Sequence, residues 1–357
     1  MSFFKIISKF LLLFSVVLFL TACQDKEKEK KVGYGGVYKS NDGGEIFLPI
    51  NYISEDKDLS HESITDIALD PQHPDVVYVG TKQHGIFRSK DGGQTWAESQ
   101  SDFSYIGRIR LDPFDENVIY LIAESQGEMA LFKTIDQGVN WERLLLQRDE
   151  YQPIVLDVLV NPKNSNIIYA TDSTGGIYKS TDAGETWKAV YWAEYPATAI
   201  VSDWQNPDIV YFATGEGDVY YTRDGGETFS TINGGGRLYS LAVSRSEEGV
   251  LYLLYESGLY VAREAGEKID EVPTLLKPKA TVANIVAVDP VNKDTIYIVA
   301  GKVLYKTRNG GETWRAVPLD IRWRANVFRI NPFNTQQLYL GLIKPASNNQ
   351  GLLNFGL

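Results

Sequence analysis

The sequence predicts an all-β protein: a single seven-bladed β-propeller whose ring closes by pairing of its N- and C-terminal strands, behind a cleaved signal peptide. Two recurring phrases predict it, together with the way they fall out of step at the chain ends. One phrase is Ser/Thr-x-Asp-x-Gly-x-x-Trp, as in Ser89 to Trp96. The other is an Asp-Pro or Asn-Pro turn followed by a Val-Tyr run, as in Asp70-Pro71 and Val77-Tyr78.

Taken from the N-terminus, residues 1–22 read as a signal and not as part of the fold. Lys5 and Lys9 precede an apolar run from Phe10 to Leu20. Eleven helical residues rise only about 16 Å, too short for a bilayer core of about 30 Å, but a fitting length for a signal peptide. The run ends in Leu20-Thr21-Ala22-Cys23, which resembles the bacterial lipobox, and Cys23 is the chain's single cysteine. The resemblance implies cleavage before Cys23, acylation of its thiol, and anchoring by several acyl chains. Residues 23–32 are charged and carry almost no apolar side chains, so they read as a solvated tether. The propeller then occupies 33–357, in a bacterial envelope with its body facing the periplasm or the exterior.

The whole chain carries a formal charge of −11. Without the six lysines and three acids of its first 32 residues, the body holds 29 basic against 43 acidic side chains, a formal −14. That balance argues against nucleic acid, which needs a basic footprint.

The first phrase recurs around Asp42, Asp91, Asp136, Asp182 and Asp224, around Asn309 in a variant copy, and around Glu264 in a worn one. Its closing positions, 47, 96, 141, 187, 229, 269 and 314, lie 40 to 49 residues apart, the length of one four-stranded blade. The second phrase precedes each copy except the first, and its last copy (Asn331-Pro332…Tyr339) has no copy of the first phrase after it. A ring in which the N-terminal strands complete the C-terminal blade accounts for both gaps and removes exposed sheet edges. Within each repeat the aspartate falls in the hairpin between strands three and four, where it accepts hydrogen bonds from turn amides. These positions therefore read as structural, with no metal or cofactor required.

This pattern resembles the BNR/Asp-box propellers, a superfamily that includes sialidases, two-domain xyloglucanases, the sortilin ectodomain and the photosystem II stability/assembly factors. The resemblance covers residues 33 to 357 and fixes architecture better than function. Sialidases have an early Phe-Arg-Ile-Pro motif. Here Phe328-Arg329-Ile330 lies in the last blade and is followed by Asn331. Xyloglucanases pair two propellers around a cleft, and this chain supplies one. A single seven-bladed propeller behind a signal peptide is most similar to the assembly-factor group, which implies a protein that holds a partner without chemistry.

Alternation along each first strand places residues two and four before the turn aspartate in the central channel. Arg108, Arg110 and Arg329 then face Asp66 and Asp157. Two readings follow: a site for a carboxylate-bearing ligand using arginine's fork of donors, or charges that neutralise one another. Asp66 and Asp157 are also the one candidate catalytic pair, of the kind glycosidases use. The loops entering the first strands carry Tyr105, Tyr151, Tyr191, Trp192, Tyr195 and Trp323, side chains typical of interface hot spots. Serine-hydrolase, zincin and phosphate-loop motifs are absent. The leading expectation is a membrane-anchored scaffold that binds a protein or peptide and is not an enzyme. The alternatives are a glycoside-directed enzyme or carbohydrate-binding propeller, and a rigid spacer.

Overall fold

Seven four-stranded antiparallel sheets and one small two-stranded sheet, Tyr52–Ser54 with Lys57–Asp58, make up the computed structural model, which describes residues 34–99, 102–146, 153–276 and 283–345. The segments read as signal and tether, Cys23 among them, lie outside the described residues, as does Tyr151. The innermost strands of blades I to VI are Ile64–Leu69, Tyr105–Leu111, Val155–Val160, Ala197–Ser202, Leu238–Val243 and Ala283–Val288. Blade VII is the closing blade. Its inner strands, Arg324–Ile330 and Leu338–Ile343, are completed by the N-terminal strands Gly36–Ser40 and Leu48–Pro49. The seam is a regular antiparallel ladder from Gly36↔Leu342 to Ser40↔Leu338. The closure expected from the out-of-step phrases is thus present.

Seven apolar layers, one between each pair of neighbouring blades, form the core. Blade VII gives Val37, Val327 and Tyr339 to one layer, and blade I gives Ile64, Ile67 and Trp96 to the same layer. Burial of such side chains stabilises by about 1.5–3 kcal/mol each.

Every innermost strand also carries a β-bulge at the same place, one residue before the outer channel position. The register slips between Ile64 and Asp66, and likewise between Val155 and Asp157 and between Ala325 and Val327. A bulge opposes two residues to one and re-aims those that follow. Strict alternation would send residues 65 and 67 between the blades, whereas the bulge sends Ile64 and Ile67 there, both buried.

The Asp boxes are hairpins on the same face as the Asp-Pro turns. Gly92, Gly225 and Gly310 each donate their N–H to the carbonyl of Asp75, Asp208 and Asp294 in their own blade's first turn, at 2.8, 3.0 and 2.9 Å. Three boxes are also gripped in the same way by the blade before them. Tyr120 and Lys133 of blade II both donate to the Ala183 carbonyl in the box of blade III, at 3.0 and 2.9 Å. Tyr169 and Lys179 do the same to Gly225, and Tyr339 and Lys39 to Gly92. In these three blades the tyrosine of the Val-Tyr phrase is an inter-blade clamp, whereas the Tyr78 and Tyr211 hydroxyls are buried without a hydrogen-bond partner among the described residues.

Candidate functional site: the central channel

Inside each box the first hydroxyl and the aspartate form a closed turn. Ser180 Oγ donates to Asp182 at 2.7 Å and accepts the Gly184 N–H at 2.9 Å, while Asp182 accepts the Thr186 N–H at 2.8 Å. Asp42, Asp91, Asp136 and Asp224 repeat this arrangement, and Asn309 reproduces it with its amide oxygen. The worn copy in blade V lacks both hydroxyl and aspartate. It makes a short 3₁₀ turn, Glu264–Gly266, and leaves Ile269 exposed.

The channel is built from the residues the sequence places there. Asp66 is buried and accepts the backbone N–H of Ile67 and, from the next blade, that of Ile109, both at 2.9 Å. Arg329 Nη2 meets it at 2.7 Å and Arg110 Nη1 at 3.1 Å. Asp157, also buried, accepts the N–H groups of Val158 and Ile200 at 2.9 Å, with Arg110 Nη2 at 2.7 Å and Arg108 Nε at 3.6 Å. Arg110 therefore spans the two carboxylates like a staple, with one fork nitrogen on each. Burial alone would push the Asp66 carboxyl up, but Arg329, Arg110 and Arg108 outweigh it and hold the group below the usual carboxylate range. Burial likewise disfavours the Arg110 cation, and Asp157 and Asp66 overcome it, raising its pKa.

Towards the turn face the channel widens into a cavity of about 550 Å³, lined by Arg110 and Arg329 on one side and by Leu159, Val201, Ala242 and Ala287 on the other. Two further residues at its rim, Trp204 and Arg245, escaped the sequence reading. In five blades a proline follows the turn Asp or Asn; in blades IV and V that position holds Trp204 and Arg245. A change at an otherwise repeated proline is the signal that would have found them.

The aromatic residues of the connecting loops do not form one patch. Tyr191 stacks on Phe229, with centroids 4.5 Å apart, and leans on Tyr220. Trp323 packs over Gly35 and the core between blades VI and VII. Among those in the described residues, only Trp192 and Tyr195 are largely exposed, at 56% and 41%. Trp192 ends the outermost strand of blade III, at the rim of the ring.

Fold and channel together define a single Asp-box propeller with an interior network of paired charges. A family model described as Photosynthesis system II assembly factor YCF48 matches residues 54–342, and the chain belongs to that family. Photosystem II stability/assembly factor HCF136 of Arabidopsis thaliana is 24% identical over 315 residues, covering 80% of this chain and 73% of its own length. Xyloglucanase Xgh74A of Acetivibrio thermocellus is 26% identical over 208 residues, covering 46% of this chain and 24% of its own. The chain thus spans about a quarter of that xyloglucanase's length. A solved structure of YCF48 bound to D1 peptide superposes with a TM-score of 0.60 at 15% identity, over 82% of this chain and 94% of that one.

Proposed function

We propose that this protein is a non-enzymatic scaffold that holds a protein or peptide partner, tethered to a bacterial envelope membrane through lipid on Cys23. The observation that carries the non-enzymatic part is the position of Arg110. A glycosidase needs room between its two carboxyls for a glycosidic oxygen or a water, and one carboxyl with a raised pKa. Here a guanidinium fills the space between Asp66 and Asp157, and Asp66 is held low. Family membership and the peptide bound to one YCF48 support the partner-holding part. Trp192 and Tyr195 are among the exposed aromatics available to such a partner.

The xyloglucanase similarity keeps a carbohydrate reading in play, with the sugar held at the channel or its rim. One experiment separates the two: affinity capture of the acylated protein from its native envelope, paired with assays on xyloglucan oligosaccharides. Co-purification of a defined protein that competes with no sugar supports the scaffold. Hydrolysis of a glycan that is abolished by Asp66→Asn or Asp157→Asn overturns it.

A further inference from the structure

The substitutions at the proline positions of blades IV and V bring two side chains together. The guanidinium of Arg245 lies 3.8 Å from the ring centroid of Trp204, close enough for a cation–π contact. Both line the cavity at the turn-face end of the channel, which Arg329 also lines.

The charges in this cavity are not all matched. Arg110 is shared between Asp66 and Asp157. Arg329 gives one nitrogen to Asp66 and two hydrogen bonds to the carbonyls of Ile67 and Phe328, which leaves donors of its fork unengaged. Among the described residues no carboxylate pairs with Arg245, and its guanidinium makes no hydrogen bond; its only contact of that kind is the Trp204 ring. Burial, and then the nearby Arg329, push its pKa down to about 10. A half-buried arginine with no carboxylate partner, beside a second cation, becomes more favourable when an anion joins it. The body carries an excess of acids, yet none is placed here. The wall contributed by blades III to VI, on the side of Arg245 and across from Arg329, is apolar: Leu159, Val201, Ala242 and Ala287.

We propose that the turn-face end of the channel is a binding site for a carboxylate carried on a slim apolar group, with Arg245 and Arg329 holding the oxyanion and the Val201–Ala242–Ala287 wall receiving the carbon chain. Four guanidiniums, those of Arg108, Arg110, Arg245 and Arg329, stand against the two carboxylates of Asp66 and Asp157, so the channel keeps a positive excess that an anion neutralises. Trp204 fixes the Arg245 plane, so the fork meets the carboxylate with little ordering left to do. The site does not depend on the partner-holding role, and either can fail without the other.

Isothermal titration of the full chain with sodium hexanoate, hexanamide and sodium phosphate tests it, alongside thermal melts. Hexanoate is expected to bind saturably at one site and raise the melting temperature, while hexanamide, which lacks the charge-assisted pair, and phosphate, which lacks the carbon chain, bind at least about tenfold more weakly. Arg245→Gln should weaken hexanoate by a similar factor. Its ligand-free melting temperature should not fall by more than a few degrees, because it orphans no carboxylate. Ala287→Leu, which fills the apolar wall and keeps every arginine, should also remove hexanoate binding. Equal binding of hexanoate and hexanamide, phosphate binding as tight as hexanoate, full binding by Arg245→Gln, or no saturable binding at all would each overturn the proposal.

Discussion

Lys306 Nζ and Glu45 Oε1 lie 2.5 Å apart although 261 positions separate them in the chain. Lys306 belongs to the third strand of blade VI and is almost wholly buried, while Glu45 follows the N-terminal strand that completes blade VII. Lys306 also donates to the Gly43 carbonyl at 3.0 Å, and Arg315 supports Glu45 from the outside. The pair therefore pins the N-terminal segment to the neighbouring blade.

Removing Glu45 leaves a buried ammonium with only a carbonyl for company. We expect Glu45→Ala to cost about 3 kcal/mol, the scale for breaking a buried pair. Lys306→Met, which removes the charge and keeps the stem, should cost clearly less. Urea unfolding of both variants checks the order, and equal losses would contradict it.

Arg110→Ala should be more severe than any exposed arginine change, since it strips one counter-ion from two buried aspartates. A loss of about 3–5 kcal/mol is expected from the same reasoning. Replacing Asp66 and Asp157 by Asn in that background should recover part of the stability. If the triple variant is no better than Arg110→Ala, the cost lies in packing and not in charge.

Acid should unfold the protein through these same groups. Burial opposes the Asp66 anion but its arginines win, and the Asp136 and Asp182 carboxyls are held down to about 2, chiefly by the Asn140 N–H in one box and the Thr186 hydroxyl in the other. For carboxyls whose folded pKa is depressed, the stabilisation is complete above the unfolded value of about 4 and is lost as pH falls through the folded value. Urea midpoints should stay level from pH 7 to about 5 and then fall steeply between about 4 and 2. A midpoint unchanged at pH 2.5 would sink this account. Asn309→Asp converts the variant box to the common form, so it should gain stability at pH 7 and lose that gain over the same acid window.

Anchoring rests on the lipobox resemblance alone. Cys23→Ala should move the protein from the membrane fraction to the soluble or secreted fraction of a bacterial host, and block labelling by a palmitate analogue. Unchanged fractionation would show that lipid is not what holds it.

Repetition made most of the fold legible. Blade number, strand order, closure and the channel positions of Asp66, Arg110, Asp157 and Arg329 all follow from counting along a regular phrase. The bulge was invisible because it adds one residue inside a strand without changing its composition. It puts Ile64 between the blades, where alternation would put Thr65. Trp204 and Arg245 were missed for the opposite reason: they stand where the repeat breaks, and a search for sameness passes over its exceptions. Tyr191 and Trp323 have the composition of an interface but serve as packing, which aromatic content alone does not distinguish.

The strand Gly36–Ser40 pairs with Leu338–Ile343, so one strand of the closing blade must wait for a partner about 300 residues further along the chain. Until then blade VII has two of its strands missing, and neither rim of the gap has its apolar layer. Before closure the folding chain is therefore an unclosed row of blades, open to proteases and chaperones. Its lifetime in that condition is set by how quickly the two inner strands of the closing blade arrive, and not by the strength of any single blade.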